Sequence, residues 1–131
     1  MRNGCVADMF YRPLGSTDMQ VSALGFGTVK LGRNQGVKYP DAFFIPEVYE
    51  ARQLLDTARD LGINLLDTAP AYGNSEERLG KLLKNDRKHW LICSKTGEEF
   101  VDGESHFDFS PEHTRRSIER SMKRLNTDYI D

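Results

Sequence analysis

The chain has little that would anchor it to a membrane or cross-link it. It has two cysteines in 131 residues, Cys5 near the start and Cys93 inside an apolar run. That is too few for a disulfide framework, and free thiols suit a reducing cytoplasm. No run of about 18 apolar residues occurs, which excludes a membrane-spanning helix. The first ten residues, Met1–Phe10, hold one basic residue and an acid within a weakly apolar stretch, so they do not read as a secretory signal. A disordered tail is expected over residues 1–9, with one domain over 10–131. Neither sign of charge is in large excess: 18 basic against 20 acidic side chains leave a net −2. No strong field points to nucleic acid or to a lipid surface. Histidine is rare, with three copies. The nearest approach to a ligand set is His106, Asp108 and His113, whose spacing fits no metal template, so no metal is expected.

What is present reads as a packed α/β domain. The hydrophobic fraction of 38% suffices for a core. A turn cluster over Gly15–Asp18, between two β-prone pieces, predicts a small hairpin. Ser22–Thr28 reads as a short glycine-rich strand, the kind that marks close approach of a backbone or ligand. Val29–Ile45 is a long loop, and loops of this length are usually functional or disordered. Pro46 and Glu47 suit the start of a helix. Val48, Ala51, Leu54, Leu55, Ala58 and Leu61 then recur at helical spacing until Gly62 stops it.

Ile63–Asp67 is a nearly continuous apolar run, the pattern of a strand buried on both faces. A second helix is expected from Ser75 to Lys84, with Asn74 and Glu77 at capping-box spacing and Leu79, Leu82 and Leu83 as its inner stripe. Trp90–Ser94 reads as a third buried strand, in which Cys93 is a small core residue. Thr96–Phe109 is expected to be a long polar loop. Ser110, Pro111 and Glu112 then start a third helix. Its predicted inner face is Thr114, Ile118, Ser121, Met122 and Leu125, while Arg115, Arg116, Arg120, Lys123 and Arg124 read as a solvated surface. Asp128–Asp131 looks like the opening of a fourth strand.

A hairpin followed by β-α-β-α-β-α and the start of another strand implies a parallel sheet. In such folds reactive groups gather at the C-terminal strand ends. Gly27, Thr28, Asp67, Tyr72 and Lys95 all fall there. A free phenol has a pKa of about 10, too high for easy proton donation at neutral pH. An ammonium nearby stabilises the phenolate, and a carboxylate holds the ammonium in place. Such a phenol can protonate a carbonyl oxygen while hydride arrives at carbon. The hydride itself must come from a cofactor. Gly25-x-Gly27 is not a dinucleotide fingerprint, because Gly32 falls at the wrong spacing and no helix follows at once.

These residues carry a resemblance. Leu66–Gly80, reading L-D-T-A-x-x-Y-G-x-S-E-x-x-L-G, is similar to the first signature of the aldo-keto reductase family. Ser94-Lys95-Thr96-Gly97 resembles its active-site lysine segment. Tyr11–Gly15, Leu24–Thr28 and Asp128–Asp131 also match. The resemblance implies a TIM (β/α)8 barrel that reduces aldehydes, ketones or sugars with NADPH, through a tetrad of Asp, Tyr, Lys and His. Carried onto this chain, Tyr72 is the general acid, Lys95 lowers its pKa, and Asp67 holds Lys95. Gly27, Thr28 and Asp67 are expected beside the cofactor. The tetrad histidine is expected beyond Asp131; His89, His106 and His113 do not occupy its place. A whole barrel needs about 250 residues. The chain therefore reads as the N-terminal part of such a barrel, inactive alone and with weak or no NADPH binding. The alternative is a non-catalytic half-barrel that binds a partner or self-associates through open edges.

Overall fold

The computed structural model describes residues 8–131, and the expectations for Cys5 and for most of the tail lie outside the described residues. Strands β1 (Tyr11–Pro13) and β2 (Gln20–Ser22) pair antiparallel as the predicted hairpin. It lies against the start of the main sheet. The Asn64 side chain accepts from the Ser22 amide at 2.8 Å and donates to the Gln20 carbonyl at 2.8 Å, while the Tyr11 hydroxyl donates to the Gly62 carbonyl at 2.7 Å.

The main sheet has three parallel strands in the order β3 (Gly25–Gly27), β4 (Leu65–Asp67) and β5 (Leu91–Cys93). Helix α1 (Val48–Asp60) crosses from β3 to β4, and α2 (Ser75–Leu82) from β4 to β5. Helix α3 (Pro111–Leu125) follows β5. Gly27, Asp67 and Cys93 lie in register across the strands, so their C-terminal ends form one rim.

The helices cover one face of the sheet. Leu66 and Ile92 point into a core with Leu31, Ala51, Leu55, Ala58, Leu79, Leu82, Leu83, Trp90 and Leu125, and Phe26 packs against it. The opposite face is open among the described residues. Burial alternates along β4 and β5, and Cys93 is an exposed free thiol. This corrects the reading of both-face burial and of Cys93 as core. Three strands do not close on themselves, so the face that a barrel turns inward has no layer over it.

Local chemistry explains most boundaries. Glu47 caps α1 in a true capping box with Glu50, which fixes orphan amides at the first turn. Ser110 accepts from the His113 amide at 3.2 Å and caps α3 as expected. The box expected at Asn74 and Glu77 does not form; Asn74 makes no side-chain cap bond. Glu77 instead pairs with Arg124 at 3.0 Å. Arg120 pairs with Glu99, so two of the five basic residues read as solvated surface join α3 to its neighbours. On α3 the buried face is Ser117, Ser121 and Leu125, while Ile118, expected on the inner face, is exposed.

The expected loop after β5 contains a hairpin, β6 (Glu98–Val101) with β7 (Glu104–Phe107). Asp102 and Gly103 turn it with φ of 53° and 83°, the left-handed backbone that Asp-Gly favours in tight hairpins. Residues Asp128–Asp131 carry no strand assignment. There the Asp131 carboxylate accepts from the Ile92 amide of β5 at 3.0 Å.

Candidate active site

The rim of β3, β4 and β5 brings three of the predicted side chains together. Asp67 ends β4, where its carbonyl accepts from the Thr28 amide at 3.0 Å. The chain then turns sharply: the Tyr72 amide bonds to the Ala69 carbonyl at 3.1 Å, and Gly73 takes a φ of 61°. A Cβ on Gly73 would collide with the Gly32 carbonyl, and one on Gly32 with the Tyr72 carbonyl. Only two glycines allow the loop after β3 to lie backbone-to-backbone on the loop that carries Tyr72.

Lys95 stands just beyond β5. Its Nζ donates to Asp67 Oδ1 at 2.6 Å and to the Thr68 carbonyl at 3.0 Å. The Tyr72 hydroxyl donates to the same Asp67 Oδ1 at 3.4 Å, and the ammonium lies 4.9 Å from the Tyr72 ring centre. Partial burial pulls the Lys95 pKa down, but hydrogen bonds with Asp67 and Tyr72 and the Asp67 charge outweigh it, leaving the pKa above the usual lysine value. The Lys95 and Asp67 side chains are 45% and 43% exposed, so the ion pair faces an open mouth that a second molecule can enter.

Gly27 and Thr28 part company. Gly27 is exposed, and a Cβ there would meet nothing within 4 Å. Thr28 is fully buried; its hydroxyl donates to the Asp67 carbonyl at 2.9 Å and accepts from Ser75 at 2.9 Å. It pins β4 from beneath rather than facing the mouth.

Sequence reasoning missed two supports, the Thr68 carbonyl that holds Lys95 and the Ser75 hydroxyl that ties Thr28 to Thr68. A backbone acceptor has no residue signature, so only the neighbouring Leu66–Gly80 motif could have directed attention there. The histidines lie elsewhere: His89 contacts the Ile63 carbonyl at 3.1 Å, His106 is on β7, and His113 on α3 lies 3.3 Å from Glu99.

The family model described as "Aldo/keto reductase family" matches residues 23–131. The chain belongs to the aldo/keto reductase family. It is 40% identical over 125 residues to L-galactose dehydrogenase of Arabidopsis thaliana, covering 92% of this chain and 35% of that protein. It is 33% identical over 134 residues to the NADH-specific methylglyoxal reductase of Escherichia coli, covering 91% of this chain and 39% of that one. A crystal structure of a putative aldo-keto reductase from Pseudomonas aeruginosa superposes with a TM-score of 0.83 at 63% identity, over 92% of this chain and 44% of that one. The chain thus spans less than half the length of these relatives, and its fold is the corresponding part of their barrel. Among the described residues no helix is long and apolar enough to cross a membrane.

Proposed function

We propose that Asp67, Tyr72 and Lys95 are the proton-handling part of a site that reduces an aldehyde, ketone or sugar carbonyl to an alcohol with NADPH. One observation carries this reading: the Tyr72 hydroxyl and the Lys95 ammonium converge on a single Asp67 oxygen, at 3.4 and 2.6 Å. The residues fit a nicotinamide cofactor. Gly27 leaves the rim beside Asp67 without a side chain, and the donors that could meet a substrate oxygen lie next to it. When bound, NADPH supplies the hydride that forms the new C–H bond.

The protein's part is the proton. Tyr72 gives its hydroxyl proton to the carbonyl oxygen; its own O–H bond breaks as the alcohol O–H forms. The negative charge left on Tyr72 is stabilised by the Lys95 ammonium. Asp67 stays deprotonated and holds Lys95 close, and Tyr72 regains its proton from water. The names of the relatives point to sugars and small carbonyls as substrates, and NADH is the competing cofactor. The exposed thiol of Cys93 suits a reducing cytoplasm.

With less than half of a related barrel present, the 131-residue chain alone is expected to be inactive and to bind NADPH weakly or not at all. The test is a chimera in which the remaining strands of the Pseudomonas relative complete the barrel. It is expected to consume NADPH with a small aldehyde, and Tyr72→Phe to lower turnover at least about 100-fold. Equal turnover in Tyr72→Phe removes Tyr72 from the role; faster turnover with NADH corrects the cofactor. A second reading, a non-catalytic half-barrel that pairs with another copy, is favoured by the sheet face on which Leu65 and Leu91 are half-buried and Cys93 is exposed.

A further inference from the structure

The first turn of α2 contains a carboxylate where an apolar residue would be expected. Glu76 is 1% exposed, as deeply buried as the leucines around it. A buried charge is costly unless each oxygen finds a donor. Glu76 has one for each: the Ser94 hydroxyl donates to Oε1 at 2.9 Å, and Arg124 approaches Oε2 at 3.4 Å. The positive end of the helix dipole adds to this. Ser94 is the residue before Lys95. The residue before Glu76 is Ser75, also fully buried, whose hydroxyl reaches Thr28 at 2.9 Å and Thr68 at 3.3 Å. Adjacent residues on one helix therefore grip the ends of all three parallel strands: Thr28 after β3, Thr68 after β4 and Ser94 after β5.

We propose that Glu76 is a positioning residue that acts through Ser94 to hold the end of β5, so that the Lys95 ammonium stays against Asp67. The inference rests on reading Lys95, Asp67 and Tyr72 as the reductive site, and it adds a support to that site. The Lys95 ammonium sits at the end of a flexible four-carbon stem, and its distance from Asp67 depends on where its backbone is held. Placement errors of about 1 Å in such groups cost about 100-fold in rate. Asp67 is fixed from below by Thr28, and the Ser94 hydroxyl bond to Glu76 is the matching tether on the lysine side.

The experiment measures Lys95 without turnover. The 131-residue chain is labelled with acetic anhydride across a range of pH, and Lys95 acetylation is read by mass spectrometry against the exposed Lys84 as internal reference. Circular dichroism reports the fold. Ser94→Ala and Glu76→Met are expected to raise Lys95 labelling at about pH 9 by about threefold or more, because an ammonium freed from Asp67 loses its proton more readily. Glu76→Gln keeps an acceptor for Ser94 and is expected to stay near wild type. Arg124→Met leaves the Ser94 bond intact and is expected to do the same. Unchanged Lys95 labelling in a folded Ser94→Ala protein overturns the proposal. Equal rises in Glu76→Gln and Glu76→Met also overturn it, since charge and not the Ser94 bond would then matter. If Glu76→Met fails to fold, Ser94→Ala and Glu76→Gln decide. No outcome depends on catalysis, so failure of the Glu76 tether and failure of Tyr72 as the acid are told apart.

Discussion

Lys95 shows how a single residue links site chemistry to stability. Its pKa is raised, so the folded state holds that proton more tightly than the unfolded chain does. Its contribution is fully present below the ordinary lysine value of 10.5 and is lost as pH rises through the higher folded value. Unfolding by urea at about pH 8 and again above pH 10.5 is expected to show wild type losing more stability than Lys95→Met, which lacks the titrating group. An identical alkaline loss in both proteins would show that Lys95 is not strongly held. The pair is half exposed, so the effect is small, within the range of surface ion pairs. Much of this residue-scale picture was legible in the sequence. Asp67, Tyr72 and Lys95 were marked by their places at strand ends, and all three meet there. Gly27 ends β3 and is exposed, while Thr28, just beyond the strand, is fully buried and bonded to the Asp67 carbonyl.

At the scale of elements, the helices were readable because their spacing and end chemistry are local. Pro46 and Glu47, Gly62, Ser110 and Pro111 stand where the first and third helices start or stop. The hairpin β6–β7 had a signal too, Asp102-Gly103, but polar strands without apolar alternation read as loop. How elements pack is less visible. Helices α2 and α3 meet at Gly80, where a Cβ would strike the Arg124 carbonyl and the Leu125 backbone. Gly80→Ala gains helix propensity but forces the helices apart. Denaturant titration is expected to show a net loss of about 1–3 kcal/mol, typical of overpacking. A gain in stability would mean that α3 can move away freely. The same contact aligns Arg124 with Glu76 and Glu77. It thereby joins the third helix to the strand ends that present the site.

At the scale of the whole molecule, the alternation of strands and helices predicted a parallel sheet, and β3, β4 and β5 form one. The open face could not be read from the apolar runs, because a barrel strand carries hydrophobic residues for an interior that needs the other strands. No further strand pairs with β3 or β5 among the described residues, and the face with half-buried Leu65 and Leu91 and exposed Cys93 has no layer over it. The 131-residue chain is expected to elute in light-scattering chromatography as a dimer or larger, more so as concentration rises. A clean monomer with one cooperative unfolding step would count against association. Tight NADPH binding by this chain would overturn its proposed dependence on the rest of a barrel. The sequence by itself determined the alternation of parallel strands and helices, the starts of the first and third helices and the presence of an aspartate, a tyrosine and a lysine near the strand ends, since these depend on local periodicity, capping and residue chemistry. Only the tertiary structure decided that phenol and ammonium share one carboxylate oxygen, that Thr28 supports from beneath, and that Cys93 is exposed. Those facts depend on which strands are neighbours and which face is covered, and they are set by contacts between residues far apart in the chain.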